Sequence, residues 1–379
     1  MQDQASNSIK VVSPGRVNLL GEHVDYNDGW VLPIAIDKAV TIKAKPAADG
    51  LIHIFARDLD ENVTFNLTSL EDKRDIDGNP LPGWATYPAG VAWSLCKHGL
   101  KVDGIDSVLY SDLPIGAGLS SSAAVEVGFA VIWEALSSWK LDRMTMARYC
   151  QEAEVSYVGV NCGLMDQFAS ANGVAGHALL LDTRTLVWRP VPLPAGTVIV
   201  IADSRIKHKL VDSAYNTRHD ECSQAVRILQ TKYPNITALR DVTPEQLLAM
   251  QAQMPENVFR RARHIVSECQ RVPRAAAMLD AGDSVGFGRL MFETHTSLRD
   301  DYEVSCKELD ILVDLAFHIP GCLGARLTGA GFGGSTANLV LENNADTFME
   351  QLREGYRAAT GLEANIFPCT AEDGARVVG

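Results

Sequence analysis

The segment Pro114-Ile-Gly-Ala-Gly-Leu-Ser-Ser-Ser-Ala-Ala124 has the makings of an anion-binding loop. Gly116 and Gly118 let the backbone approach a ligand closely and turn its N–H groups inward. A helix is predicted over Ser121–Ser138, directly after the glycines. Its start offers Ser120, Ser121 and Ser122 and holds no carboxylate before Glu126, so the positive end of the helix dipole is left for an external anion. Hydroxyls in that turn can bind phosphate oxygens or a Mg²⁺ ion. The same residues can also form an ordinary serine cap after a glycine turn. No GK[ST] follows, so the loop is not of the Walker type.

A second segment, Pro14-Gly-Arg-Val-Asn-Leu-Leu-Gly-Glu-His-Val-Asp-Tyr-Asn-Asp28, gathers Arg16, Glu22, His23, Asp25 and Asp28 around two glycines and a proline. Carboxylates, an imidazole and a guanidinium on one loop can bracket a polyhydroxylated ligand, each acceptor taking a hydroxyl. A solvated, charged turn has the same composition. Nothing near His23 has an HExxH or other metal spacing. A third segment, Gly329-Ala-Gly-Phe-Gly-Gly334, matches GxGxxG literally, but a strand rather than a helix is predicted after it. A glycine-rich loop between two strands, closing over another part of a site, fits better, as does a plain hairpin turn.

The elements that must position these loops are mixed. Short strands rich in β-branched residues are predicted at Ile9–Ser13, Val31–Ile36, Val40–Ala44 and Ile52–Arg57. Helices follow over Ser121–Ser138 and Met144–Val158, the first with Val125, Phe129, Ile132 and Leu136 on one face. His177–Asp182 reads as a strand, and the three prolines of Pro190–Gly196 as a boundary. Beyond it come a strand at Val198–Asp203, a helix through Tyr215–Leu229, mainly helical segments from Thr243 to His318, and strands near Arg326–Thr328 and Thr336–Leu341. Paired strands beside separate helical blocks imply an α+β architecture rather than a doubly wound parallel sheet.

At 379 residues, 46% of them hydrophobic and 21% charged, the chain has the balance of a globular protein with more than one domain. Its net charge of −13, with no basic cluster, argues against nucleic acid or an anionic membrane as partner. An anionic substrate must therefore be held locally, by N–H groups, a metal ion or a few placed cations. No secretory signal is visible in Met1–Lys10, and no apolar stretch is long enough to span a membrane. The eight cysteines form no CxxC pair or zinc spacing, which implies reduced thiols and a cytoplasmic location.

Taken in this order, the three segments resemble the GHMP family of small-molecule kinases. The one at Pro14–Asp28, with Gly-Glu-His-Val-Asp-Tyr-Asn at its centre, resembles the galactokinase branch of that family. The likeness extends to Asn161-Cys-Gly-Leu-Met-Asp-Gln167, Tyr215-Asn-Thr-Arg218 and His295–Asp301. It implies a two-domain α+β fold with the site in the cleft between residues 1–190 and 191–379, closed by the loop at 329–334. It implies ATP and galactose as substrates, Mg²⁺ as cofactor, and a monomer with no protein partner. By the same resemblance Asp166 accepts the proton of the C1 hydroxyl. Arg16 is its partner and stabilises charge as the phosphoryl group moves. Glu22, His23, Asp25, Gly163 and Tyr215 contact the sugar. Gly116, Ala117, Gly118, Leu119, Ser120, Ser121 and Ser122 form the phosphate loop, Ser122 and Glu154 hold Mg²⁺, and Trp84 lies near the adenine. Trp30 and Ala330 depart from the family pattern, and Trp30 could reshape the sugar site.

Two other activities share many of these features. A kinase for N-acetylgalactosamine or another sugar differs only in space around C2. A non-catalytic galactose sensor has the segment after the serines shortened or altered, whereas here Ser120-Ser-Ser-Ala-Ala124, Arg16 and Asp166 are all present.

Overall fold

Alternation of buried and exposed residues builds the first sheet. Along the strand Pro33–Pro46, Val40, Ile42 and Ala44 turn inward while Asp37, Lys43 and Lys45 face out. A computed structural model describes residues 8–114, 116–207 and 211–378. The strands are β1 Ile9–Asn18, β2 Trp30–Val31, β3 Pro33–Pro46, β4 Ile52–Ala56, β5 Glu61–Phe65, β6 Ile105–Ser111, β7 His177–Asp182, β8 Trp188–Pro192, β9 Thr197–Lys207, β10 Cys322–Thr328, β11 Gly333–Leu341, β12 Asn365–Cys369 and β13 Arg376–Val377. The helices are α1 Thr86–Lys97, α2 Ser121–Leu136, α3 Arg143–Glu152, α4 Met165–Asn172, α5 Val211–Gln230, α6 Pro244–Leu248, α7 Glu256–Asp280, α8 Ser284–Ser297, α9 Lys307–His318 and α10 Ala345–Thr360.

Six strands form one sheet in the order β13-β1-β3-β6-β4-β5, four form another as β10-β11-β9-β12, and β2-β7-β8 make a third. Among the described residues only β4 and β6 pair in parallel. The expected α+β class therefore holds. The chain's last strand returns to the first sheet, where Val377 pairs with Val11. α2 lies against β1 and β3 and is flanked by α1, α3 and α4. That position explains why Ala123, Ala124, Val127 and the run from Phe129 to Trp133 are all buried. A contiguous apolar core runs from Val11 to Ala375, with a smaller one under β9, β10 and α10.

Three differences from the sequence reading have physical causes. The two strands expected at Val31–Ile36 and Val40–Ala44 are mostly one, β3. The segment Pro190–Gly196 opens inside β8, which pairs only with β7, and an edge strand tolerates proline. The helix expected over Met144–Val158 is α3 followed by a π-helical turn, Ala153–Val158, which changes the direction in which Glu154 points.

Candidate active site

Arg16 is set on β1 just after an irregularity in its pairing with β3, between Pro14 and Arg16. Such a break re-aims a side chain. The guanidinium meets Asp166, in the first turn of α4, through two hydrogen bonds: Nε to Oδ1 at 2.7 Å and Nη2 to Oδ2 at 2.9 Å. Its remaining arm donates to the Gly118 carbonyl at 2.7 Å, and the Arg16 backbone N–H donates to Leu119 O at 3.1 Å. Ser120 also donates to Asp166 Oδ2. One arginine thus fixes a carboxylate and the phosphate loop together, using the planar fork that lysine lacks.

The geometry of residues 116–122 bears on the two readings of their serines. Ser120 stands before α2 in the left-handed region (φ 58°) and makes no side-chain cap bond. Its hydroxyl is given to Asp166 instead. The first turn of α2 is therefore open, as an anion site requires. Gly116 and Gly118 have φ 76° and 75°, which their lack of a side chain permits. From the other side, Ser335 donates to Ala117 O at 2.7 Å, so the 329–334 segment is a hairpin loop between β10 and β11 that lies against the phosphate loop.

The acidic loop supplies the other wall. Asp25 sits so close to Gly163 that a Cβ there would lie 1.7 Å from Asp25 Oδ2, so only glycine fits. Burial, with the charges of Asp166 and Glu22, pushes the Asp25 carboxyl up to about 7. Burial and the charge of Asp25 likewise raise the Tyr215 phenol. These four groups share one space. Glu22 Oε1 accepts from the Gly329 N–H at 2.8 Å and pairs with Arg326 at 2.7 Å, while among the described residues Oε2 takes no hydrogen bond. Burial and the charge of His264 lower His23 to about 3, so its ring is neutral. A carbonyl only accepts, so His23 Nε2–H donates to Ala330 O at 3.1 Å, and Nδ1 accepts from the Tyr26 hydroxyl at 2.9 Å. A sugar hydroxyl reaching that ring must displace one of the two. Trp30 lies under the Arg240 guanidinium, 4.7 Å from its ring centroid, and Arg240 also pairs with Asp182.

On the far side of the serines lies a cavity of about 560 Å³, lined by Trp84, Tyr87, Leu109, Leu113, Ser121 and Ser122 among others. Its size, aromatic wall and position beside the loop suit a nucleotide base. Trp84 is held there by a bond from its indole to Glu61 at 2.5 Å.

Glu154, turned inward by the π-helical turn, is buried, lies beside Ser122 and accepts a hydrogen bond from Gln167. Burial and then the charge of Asp166 raise its carboxyl. Glu126, one turn after Ser122 on α2, is wholly buried, with Oε1 lacking any partner. No arginine or lysine among the described residues pairs with either carboxylate. Glu154, buried without a basic partner and close to the Ser122 hydroxyl, offers a metal ion a hard oxygen donor. No set of three metal-ligating side chains exists among the described residues. Mg²⁺ takes one or two protein oxygens and completes its shell with phosphates and water, so it needs no such set. The sequence reading missed Glu126, Gln167 and Tyr26. The first was visible as a carboxylate one helical turn from Ser122, and the other two fell inside motifs without a role assigned.

An arginine–carboxylate clamp between a glycine-serine loop and a sugar-type acidic loop, on this fold, defines a small-molecule kinase of the GHMP type. GHMP kinase N-terminal and C-terminal domain profiles match residues 86–174 and 275–358, and a galactokinase galactose-binding signature matches residues 3–46. The galactokinase of Roseiflexus sp. is 47% identical over 96% of this chain and 91% of its own. That of Chloroflexus aurantiacus is 44% identical over 97% and 92%. The chain therefore belongs to the galactokinase family. A crystal structure of Lactococcus lactis galactokinase with galactose superposes with a TM-score of 0.93 at 32% identity, covering 98% of this chain and 95% of that one. Methanococcus jannaschii mevalonate kinase, at TM-score 0.68 and 19% identity over 98% of this chain and all of its own, shares the fold. No helix among the described residues is long and apolar enough to cross a membrane.

Proposed function

We propose that this chain transfers the γ-phosphoryl group of ATP to the C1 hydroxyl of α-D-galactose. The observation that carries the reading is the Arg16–Asp166 pair, placed between the acidic sugar loop and the open N-terminus of α2. Asp166 Oδ1 accepts only from Arg16 Nε among the described residues and keeps a lone pair, so the C1 hydroxyl can donate to it while its oxygen faces the phosphate loop. As the new O–P bond forms and the bond to the ADP oxygen breaks, the hydroxyl proton passes to Asp166. Arg16 then faces the charge that develops beside Gly118. Glu22, His23, Asp25, Gly163 and Tyr215 bind the sugar. Residues 116–122 cradle the phosphates and Trp84 faces the adenine. Mg²⁺, held by Ser122 and Glu154, supplies charge neutralisation on the phosphate oxygens when bound. The two halves, 1–190 and 191–379, form the walls of the cleft. Eight free cysteines support a cytoplasmic setting.

The direct test is ADP release with ATP, Mg²⁺ and a panel of galactose, N-acetylgalactosamine, glucose, arabinose and mevalonate. Fast release with galactose and a product phosphorylated at C1 is expected. Preference for N-acetylgalactosamine, or none with any sugar despite galactose binding, refutes the reading. For the metal, Glu154→Ala should raise the Mg²⁺ concentration for half-maximal activity by about tenfold or more, as loss of a direct ligand does. An unchanged Mg²⁺ titration removes Glu154 from the site.

A further inference from the structure

We propose that Gln167 and Glu126 are positioning residues for Glu154, one step behind the phosphoryl-transfer site. The Gln167 carboxamide, braced by Glu126, sets the Glu154 carboxylate against Ser122 and ties it to the helix that carries Asp166. This rests on the reading of Ser122 and Glu154 as the Mg²⁺ site.

Gln167 is completely buried and follows Asp166 in the first turn of α4. Its Nε2 donates both hydrogens, to Glu154 Oε2 at 2.5 Å and to Glu126 Oε2 at 2.9 Å. Glu126 is also completely buried and lies four residues after Ser122, hence on the same face of α2. The bridge therefore joins α2, the π-helical turn and α4, the three elements that carry Ser122, Glu154 and Asp166.

The cost of this arrangement points to function. Glu126 Oε1 and Gln167 Oε1 are both buried without a partner. An apolar pair at these positions would pack the same three elements without unsatisfied oxygens. What it could not do is hold the Glu154 carboxylate in one rotamer, since among the described residues the only other side chain hydrogen-bonded to that group is Cys162, at 3.5 Å. A carboxylate free to rotate meets a metal ion less often in the right geometry, and partners that orient ligands strengthen metal binding for this reason.

The test uses the full-length enzyme and calorimetry of ATP binding, once in EDTA and once in excess Mn²⁺, without galactose. The ratio of the two Kd values reads the metal's contribution apart from turnover. Gln167→Leu and Glu126→Leu should each shrink that ratio by about tenfold or more, with galactose KM within about twofold of the parent. Glu126→Gln, whose amide oxygen can still accept from Gln167, should restore most of what Glu126→Leu loses. If Gln167→Leu does not fold, Gln167→Met, closer in shape, serves in its place. Folded leucine or methionine variants that keep the parent ratio overturn the proposal, and lowered thermal stability with an unchanged ratio marks a packing role only. Glu154→Gln separates the two readings. If it leaves the ratio unchanged, the metal assignment fails and this proposal with it; if it shrinks the ratio while the Gln167 and Glu126 variants do not, only this proposal fails.

Discussion

Asp166→Asn should lower kcat by about 10³-fold or more, in the upper part of the usual loss on removing a general base because the orientation of Arg16 goes with it. Galactose and ATP should still bind within a few-fold of the parent, since neither depends on the Asp166 charge alone. The carboxylate accepts from Arg16 on both oxygens and from Ser120 on one. Asparagine offers one acceptor and presents an N–H group where a donor already points. A guanidinium that is only 6% exposed is then left with one of its two bonds to residue 166. Stability should fall as well, by about 1–3 kcal/mol, the usual cost of stripping a partner from a buried polar group. Calorimetry with each substrate, beside steady-state kinetics and a thermal melt, separates these effects. Turnover within about tenfold of the parent would remove Asp166 from proton transfer, given the usual 10²–10⁴ contribution.

The relation between sequence and structure is uneven in an instructive way. Motifs whose residues have special backbone chemistry were legible: Gly116 and Gly118 demand a loop, and β-branched runs demand strands. The helix α1 and the strands β5 and β6 were not singled out, since α1 mixes Trp, Tyr, Pro and Gly, and β5 is a short exposed edge. The side-chain roles were less legible than the loops. Ser120 sits where a helix cap would, and only the fold shows that its hydroxyl goes to Asp166, 46 residues away. His23 stands in the acidic loop as an expected sugar contact, and only the fold shows that its ring also joins Tyr26 to the carbonyl of Ala330, 307 residues along. Glu126 enters the sequence reading only as the first carboxylate after the serines, and its burial follows from α1, α3 and α4 closing round α2. Local chemistry can be read from a segment, whereas a partner across the fold, such as Asp166 for Arg16, enters the sequence reading only through the family resemblance.

Asp25→Asn should make the free enzyme more stable and a poorer binder, and the pH dependence shows why. Burial and the neighbouring charges of Asp166 and Glu22 raise this carboxyl from 3.8 to about 7. A folded-state value above the unfolded one means that the native protein holds the extra proton between those two values. Stability therefore falls as pH rises through that window, and above about 7 the full penalty of a buried, repelled charge is present. Asparagine carries no such penalty. The gain in thermal stability from Asp25→Asn should thus be larger at pH 8 than at pH 5, by up to a few kcal/mol at about 1.4 kcal/mol per pH unit. The charge that destabilises the free site is the one that accepts sugar hydroxyls, and such bonds contribute about 1.5–3 kcal/mol. Galactose affinity in the parent should weaken as pH drops below about 7, and in Asp25→Asn it should be lower, by about 10- to 100-fold at pH 8, and insensitive to pH. Melts and galactose titrations at pH 5 through 8 measure both. An equal stability gain at both ends, with parent affinity flat across the range, would show that Asp25 does not titrate between pH 5 and 8 and so is not the source of either pH dependence.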